Sequence, residues 1–164
     1  MAIEIREATG GDWDSILPFF REIVAAGETY AYDPEMTDDE ARDLWMVGPP
    51  GVTFVALDDG RVVGSANAYA NRPGPGSHVA SASFMVDPAS SGRGIGRALG
   101  ERVLEWATDQ GFMAMQFNAV VESNLAAVAL WRKLGFDIVG TVPRAFRLPH
   151  GTHVGLYVMY RRLT

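Results

Sequence analysis

The residues whose spacing carries the most chemistry are Ser90 to Leu99, SSGRGIGRAL, where Gly92, Gly94 and Gly96 alternate with side chains just ahead of a helical pattern. Glycine lets the backbone adopt positive φ and approach a ligand closely, and the first turn of a helix presents unpaired N–H groups at the positive end of its dipole. The segment reads as an anion cradle or, without a ligand, as a glycine-rich turn between two elements. Two nucleotide-binding loops are excluded. The dinucleotide pattern G-x-G-x-x-G puts its last glycine on Arg97 when counted from Gly92 and on Leu99 when counted from Gly94. The phosphate loop of nucleotide triphosphatases needs Gly-Lys-Ser/Thr at the helix entry, and Lys133, the one lysine, lies far downstream.

The elements that must hold this loop follow from periodicity. Ile3 and Ile5 alternate with polar neighbours as a short strand, and Trp13, Ile16, Phe20, Ile23 and Val24 then repeat at helical spacing up to Gly27. The connection ETYAYDPEM is aromatic and acidic, and Thr37 with Glu40 three residues on opens a second helix with a capping box. VTFVAL at 52–57 and RVVGSANAY at 61–69 form an antiparallel hairpin around Asp58-Asp59-Gly60. A strand over 78–87 leads through the glycine cluster into a helix carrying Ile95, Leu99, Val103 and Trp106 on one face. A strand over 112–120, a helix over 123–134 ended by Gly135, and strands over 136–142 and 153–161 complete the chain. The order β-α-α-β-β-β-α-β-α-β-β predicts an α+β fold, one domain over 1–164, with about seven strands in a mixed, mostly antiparallel sheet flanked by about four helices.

Composition narrows the function. With 164 residues, 48% hydrophobic and 21% charged, the chain has the make-up of one ordered globular unit. Its net charge of −6 and single lysine leave no basic stripe for nucleic acid. It has no cysteine, which excludes disulfides, thiolate–metal sites and a cysteine nucleophile. The charged start MAIEIRE and the lack of a long apolar run point away from a signal peptide or membrane span, so the expected setting is cytoplasmic.

Two segments carry a resemblance. Val86-Asp87-Pro88 followed by GRGIGRAL, with Ser91, Gly94 and Gly96 in the pattern Gln/Arg-x-x-Gly-x-Gly/Ala, resembles motif A of the GNAT N-acetyltransferases. ESNLAAVALWRKLGFDIVG, Glu122 to Gly140, resembles their motif B, in which an Asn precedes a helix ending in Leu-Gly-Phe. The resemblance implies acetyl-CoA as cosubstrate. It implies that the amides from Gly92 through Arg93, Gly94, Ile95 and Gly96 to Arg97 hold the pyrophosphate, with Ser91 as helix cap and Arg93 or Arg97 adding charge. The main chain of Phe84, Met85 and Val86 would bond the pantetheine arm like an extra strand, with Asn124, Ala127 and Trp131 lining its other side. The strands should part at 85–87 and 117–119. Trp131 stands where many members carry a tyrosine proposed as the acid for the departing thiolate, and indole has no acidic proton near neutrality.

The resemblance further implies transfer of the acetyl group to a primary amine of a small molecule, with similarity to members that acetylate amino acids or their analogues. The alternatives are a catalytically silent acyl-CoA-binding module, or acetylation of a protein N-terminus or lysine. The strand HVASASFMV lacks the Glu that many members place there as base. Asn118, Glu28 and Glu122 are the candidates for the catalytic role, with Asn118 preferred and His78 weighed beside them. Tyr30 and Tyr32 could wall the acceptor pocket, and Arg147, in PRAFRLPHGTHVGL, could pair with a substrate carboxylate. His150 and His153 have no carboxylate beside them, so no metal site is expected. A homodimer is compatible with this reading.

Overall fold

The structure, a computed structural model, describes residues 2–164. Seven strands form one sheet: β1 (Glu4–Glu7), β2 (Val52–Asp58), β3 (Arg61–Ala70), β4 (Val79–Val86), β5 (Ala114–Val121), β6 (Asp137–Arg147) and β7 (His153–Arg162). Four α-helices accompany them: α1 (Trp13–Ala26), α2 (Asp38–Trp45), α3 (Ile95–Asp109) and α4 (Leu125–Lys133). The strands lie side by side in the order β1-β2-β3-β4-β5-β7-β6. Every neighbouring pair is antiparallel except β4 and β5, which run parallel with α3 as the crossover between them.

Local chemistry sets the boundaries. The β2–β3 hairpin turns at Asp59 and Gly60, with φ 51° and 77°, the paired left-handed conformation that matches strand twist in a two-residue turn. Gly27 ends α1 at φ 66°, and the Thr37 side chain caps α2 by accepting from the Glu40 amide at 3.1 Å.

Helices cover both faces of the sheet. Trp13, Ile16, Phe20 and Val24 of α1 and Trp45 of α2 pack with Val55 and Met85 on one face. Ile95, Leu99 and Val103 of α3 and Trp131 of α4 pack with Phe54, Val63, Met115 and Phe117 on the other. Gly96 and Gly100 bring α3 close to α4, since a Cβ at Gly96 would meet Leu130 at 3.3 Å and one at Gly100 would meet Leu134 at 2.7 Å. Among the described residues no helix is long and apolar enough to cross a membrane.

The last hairpin differs from expectation. β6 does not stop at Val142 but continues to Arg147 through a register shift between Val142 and Phe146, with Arg144 at φ 54°. Pro143 lies within this stretch, and because β6 is an edge strand its missing N–H can be accommodated at the bulge.

The entry to α1 is tied by Asp12, which accepts from Arg6 at 2.8 and 3.0 Å and from the Thr9 amide at 2.7 Å. The Arg6 hydrogen bonds hold the Asp12 carboxyl down at about 2, against burial that opposes ionisation. A depressed folded-state pKa stabilises the fold above the unfolded value of 3.8, and that contribution disappears as pH falls toward about 2. Asp12→Asn is therefore expected to destabilise by about 1–3 kcal/mol at pH 7 in urea denaturation. The gap to wild type should narrow steadily between pH 5 and pH 2.

Candidate active site

The site begins where β4 and β5 separate. Their parallel pairing consists of Val79 with Ala114 and Ala80 with Met115. The strands therefore part after Ala80 and Met115, five residues before the expected 85–87 on β4 and two before 117–119 on β5. On β5 the ladder to β7 also shifts between Phe117 and Val120. On β4, Val79 accepts from Asn71 and Asp87 donates to Val63, so odd-numbered residues face β3. The alternation turns the N–H and C=O groups of Ala82, Phe84 and Val86 toward the gap.

The gap opens into a cleft of about 550 Å³ running from Ser91 at the glycine loop to Tyr69 at the end of β3. It gathers Phe84, Met85, Val86, Ser91, Asn118, Asn124, Ala127 and Trp131 with Tyr30 and Tyr32. The Phe84 ring lies 4.6 Å from Trp131 and 5.9 Å from Phe117, centroid to centroid, giving the α4 side an aromatic floor. Asn124 caps α4, its Oδ1 accepting from the Ala127 amide at 3.4 Å.

At the loop, Gly92 and Gly94 have φ 78° and 76°, and a Cβ built on either would meet no protein atom within 4 Å. The helical bonding of α3 starts with the Ala98 amide on the Gly94 carbonyl at 3.0 Å. The amides of Ile95, Gly96 and Arg97 thus lie in the first turn without helical acceptors. This open-sided set of donors suits a pyrophosphate, and the edge of β4 that β5 leaves, apart from the Phe84 groups held by Tyr30, suits the amide groups of a pantetheine arm. The two arginines are already engaged, Arg93 with the buried Asp58 at 2.5 Å and Arg97 with Glu101 at 2.9 Å. The charge expected from them at the cradle is therefore partly neutralised by their own partners.

At the end of the cleft beside Tyr69 the polar groups are neutral. Tyr30 donates its hydroxyl proton to the Phe84 carbonyl at 2.6 Å, and its oxygen accepts from the Phe84 amide at 2.8 Å. Burial, reinforced by Tyr32 and Tyr69, pushes the Tyr30 phenol well above the ordinary tyrosine range, against the Phe84 hydrogen bond. Burial likewise raises Tyr32, with the Ser83 hydroxyl opposing. The Asn118 amide bonds Asn71, donating at 2.6 Å, and accepts from Gln116 at 3.0 Å. Tyr69, Ser81 and Ser83 complete this end, and among the described residues that line the cleft there is no Asp, Glu, His, Lys or Arg.

The other sequence candidates lie elsewhere. Glu28 is exposed just past the end of α1 and does not line the cleft, because the turn at Gly27 points it to solvent. The Glu122 carboxylate, just past β5, accepts through one oxygen from the Gly155 amide of β7 at 2.7 Å, and Glu122 does not line the cleft. His78 is exposed just ahead of β4. Arg147 is exposed at the end of β6, one residue beyond Phe146, which does line the cleft. Tyr69 and Asn71 were not singled out from sequence. The register that pairs Tyr69 with Ser81 brings the end of β3 beside the cleft, and only the strand pairing reveals it.

Comparison with known proteins agrees with this geometry. The model of the Acetyltransferase (GNAT) family matches residues 17–136. A GCN5-related N-acetyltransferase from Kribbella flavida is 62% identical with a TM-score of 0.95, covering 98% of each chain. L-amino acid N-acetyltransferase AaaT of Escherichia coli is 29% identical over 97% of each chain. A phosphinothricin acetyltransferase from Sinorhizobium meliloti, solved in complex with AcCoA, is 28% identical with a TM-score of 0.88, over 99% of this chain and 89% of that one.

Proposed function

Since the chain belongs to the GNAT acetyltransferase family and takes acetyl-CoA as its cosubstrate, we propose that it acetylates the primary amine of a small molecule, an amino acid or amino-acid analogue, by direct attack of the amine. The observation that carries this reading is the cleft itself. Its glycine loop and the β4 edge left by β5 share one cleft with a neutral, tyrosine-walled end. Relatives of similar length named for L-amino acids and for phosphinothricin support the acceptor class.

Acetyl-CoA supplies the activated acyl group, and the chain's own residues supply position and environment. In this reading the first-turn amides of α3 and the β4 edge hold the cosubstrate, Asn124, Ala127 and Trp131 pack its arm, and Tyr30 and Tyr32 wall the acceptor. Arg147, exposed one residue beyond the cleft-lining Phe146, is the cation nearest in sequence that could pair with an acceptor carboxylate. Fixing both reactants in one cleft replaces a bimolecular encounter by a positioned one. A cleft lined by no charged side chain offers an ammonium ion no counter-charge, so it favours the free amine. Asn118, held by Asn71 and Gln116, orients the amine or the water that carries its proton away, with Ser81 and Ser83 beside it.

No single carboxylate then serves as base. Glu28→Gln and Glu122→Gln should each lower kcat/KM less than about tenfold, under about 1.4 kcal/mol of transition-state stabilisation, while Asn118→Ala should cost more. The tyrosines that burial raises stay protonated across the working range. The rate should therefore rise with pH as the acceptor amine titrates, with no separate enzymic pKa near 6 or 7. A bell-shaped profile centred near neutrality would contradict this.

The acceptor class is tested by incubating the protein and acetyl-CoA with an equimolar mixture of free amino acids, amino-acid analogues, simple alkylamines and short peptides, with products read by mass spectrometry. N-acetylation of free amino acids or analogues is expected. Acetylation confined to peptide N-termini or lysine side chains would overturn the acceptor class while leaving acetyl transfer intact.

A further inference from the structure

Phe84 faces the gap with an N–H and a C=O that no strand pairs, and both are taken by one side chain. Tyr30 reaches in from the α1–α2 connection, its oxygen 2.8 Å from the Phe84 amide nitrogen and 2.6 Å from the Phe84 carbonyl oxygen. The ring is held by stacking on Tyr32 at 5.0 Å and by an edge contact to Trp45 at 6.4 Å. Trp45 is fully buried and anchored through its indole N–H to Ser65 at 2.9 Å. The phenol is thus a fixed polar group at the centre of the cleft, and its oxygen already occupies a position where the Phe84 amide donates.

We propose that Tyr30 is a catalytic residue, whose hydroxyl turns from the Phe84 carbonyl to donate, together with the Phe84 amide, to the oxygen of the acyl group being transferred. An acyl oxygen can take the Phe84 N–H only by displacing the Tyr30 oxygen from it. The displaced hydroxyl stays on its stacked ring within reach of the same spot, and its remaining partner, the Phe84 carbonyl, is the group it can most readily release.

The result is two donors facing the oxygen on which negative charge develops as the amine adds. The phenol donates a hydrogen bond and keeps its proton. The C–N bond forms, the C–S bond breaks, the amine proton leaves through water, and the departing thiolate is protonated from solvent. Burial of the phenol, which disfavours its ionised form, keeps it a donor throughout the pH range in which amines are free bases.

This inference rests on acetyl transfer within the β4–β5 cleft. Tyr30→Phe keeps the ring stacking and removes the hydroxyl. We expect kcat to fall about a hundredfold, in line with loss of one such donor, with coenzyme A and acetyl-CoA affinities within about threefold of wild type. Infrared difference spectra of carbonyl-labelled acetyl-CoA, bound without amine, should show a lower carbonyl stretch on wild type than on Y30F.

Equal carbonyl frequencies on the two proteins, or a kcat within threefold of wild type, would overturn the role of Tyr30. Failure of the wild type to bind acetyl-CoA at all would sink the underlying reading of the cleft. Should Y30F not fold, 3-fluorotyrosine at position 30 retains the hydroxyl and the packing. Its fluorine resonance should differ between the acetyl-CoA and ethyl-CoA complexes, which differ in the acyl oxygen, and identical resonances would overturn the proposal.

Discussion

Gly94→Val is expected to weaken coenzyme A binding by at least about a hundredfold while leaving a folded protein. Gly94 sits at φ 76° immediately before α3, in the left-handed region that a β-branched side chain enters only with strain. That strain is of the order of 1–2 kcal/mol for one residue, too little to unfold a domain of ordinary stability. No protein atom lies within 4 Å of the Cβ position, so the change creates no internal clash. The loss is instead paid at the cradle, where the loop must distort and the side chain intrudes on the open side of the first-turn amides. Isothermal titration with coenzyme A measures the effect and circular dichroism checks the fold. Wild-type affinity would remove the cradle from the account.

Trp131→Ala should be the most damaging single truncation at the site. Trp131 is 7% exposed and packs against Phe84 at 4.6 Å, Phe117 at 4.8 Å and Phe136 at 6.2 Å. It joins α4 to both strands of the parted pair, and Gly100 of α3 approaches its ring, where a Cβ would come within 3.2 Å. Removing the indole leaves a cavity that the surrounding aromatic rings cannot close, at a cost of about 3–5 kcal/mol in urea denaturation. The cleft wall goes with it, so coenzyme A affinity should fall as well. Trp131→Phe retains most of the packing. It should keep the rate within about tenfold, because the indole carries no proton in the reaction. A much larger loss in that variant, with folding intact, would show that the indole N–H does more than pack.

Much of the architecture was legible because periodicity and turn chemistry act locally. The element order follows from the β-rich runs of β2 and β3, the Asp59-Gly60 turn, the Thr37 cap and the i, i+4 face of Ile95, Leu99 and Val103. The glycine cluster pointed to the cradle for the same reason, since the demand for positive φ at Gly92 and Gly94 falls on single residues.

What sequence did not reveal depends on pairing between distant segments. The gap opens at Ala80 and Met115, which is a property of the β4–β5 register and not of either strand alone. Tyr30 was readable as an aromatic wall, but its grip on the Phe84 main chain links residues 54 positions apart. Glu122 looked available as a free carboxylate before motif B, and only the fold shows the Gly155 amide that occupies it. Arg93 and Arg97 likewise looked free for phosphate until the structure set Asp58 and Glu101 against them.

The central claim is that this cleft carries out amine-dependent acetyl transfer. Its most direct test is thiol release from acetyl-CoA, followed with and without a panel of small primary amines including amino acids, in wild type and Gly94→Val side by side. The account predicts release that requires an amine, saturates with it and disappears in the glycine variant. Tight coenzyme A binding with no amine-dependent release across the panel, or undiminished release from Gly94→Val, would contradict it.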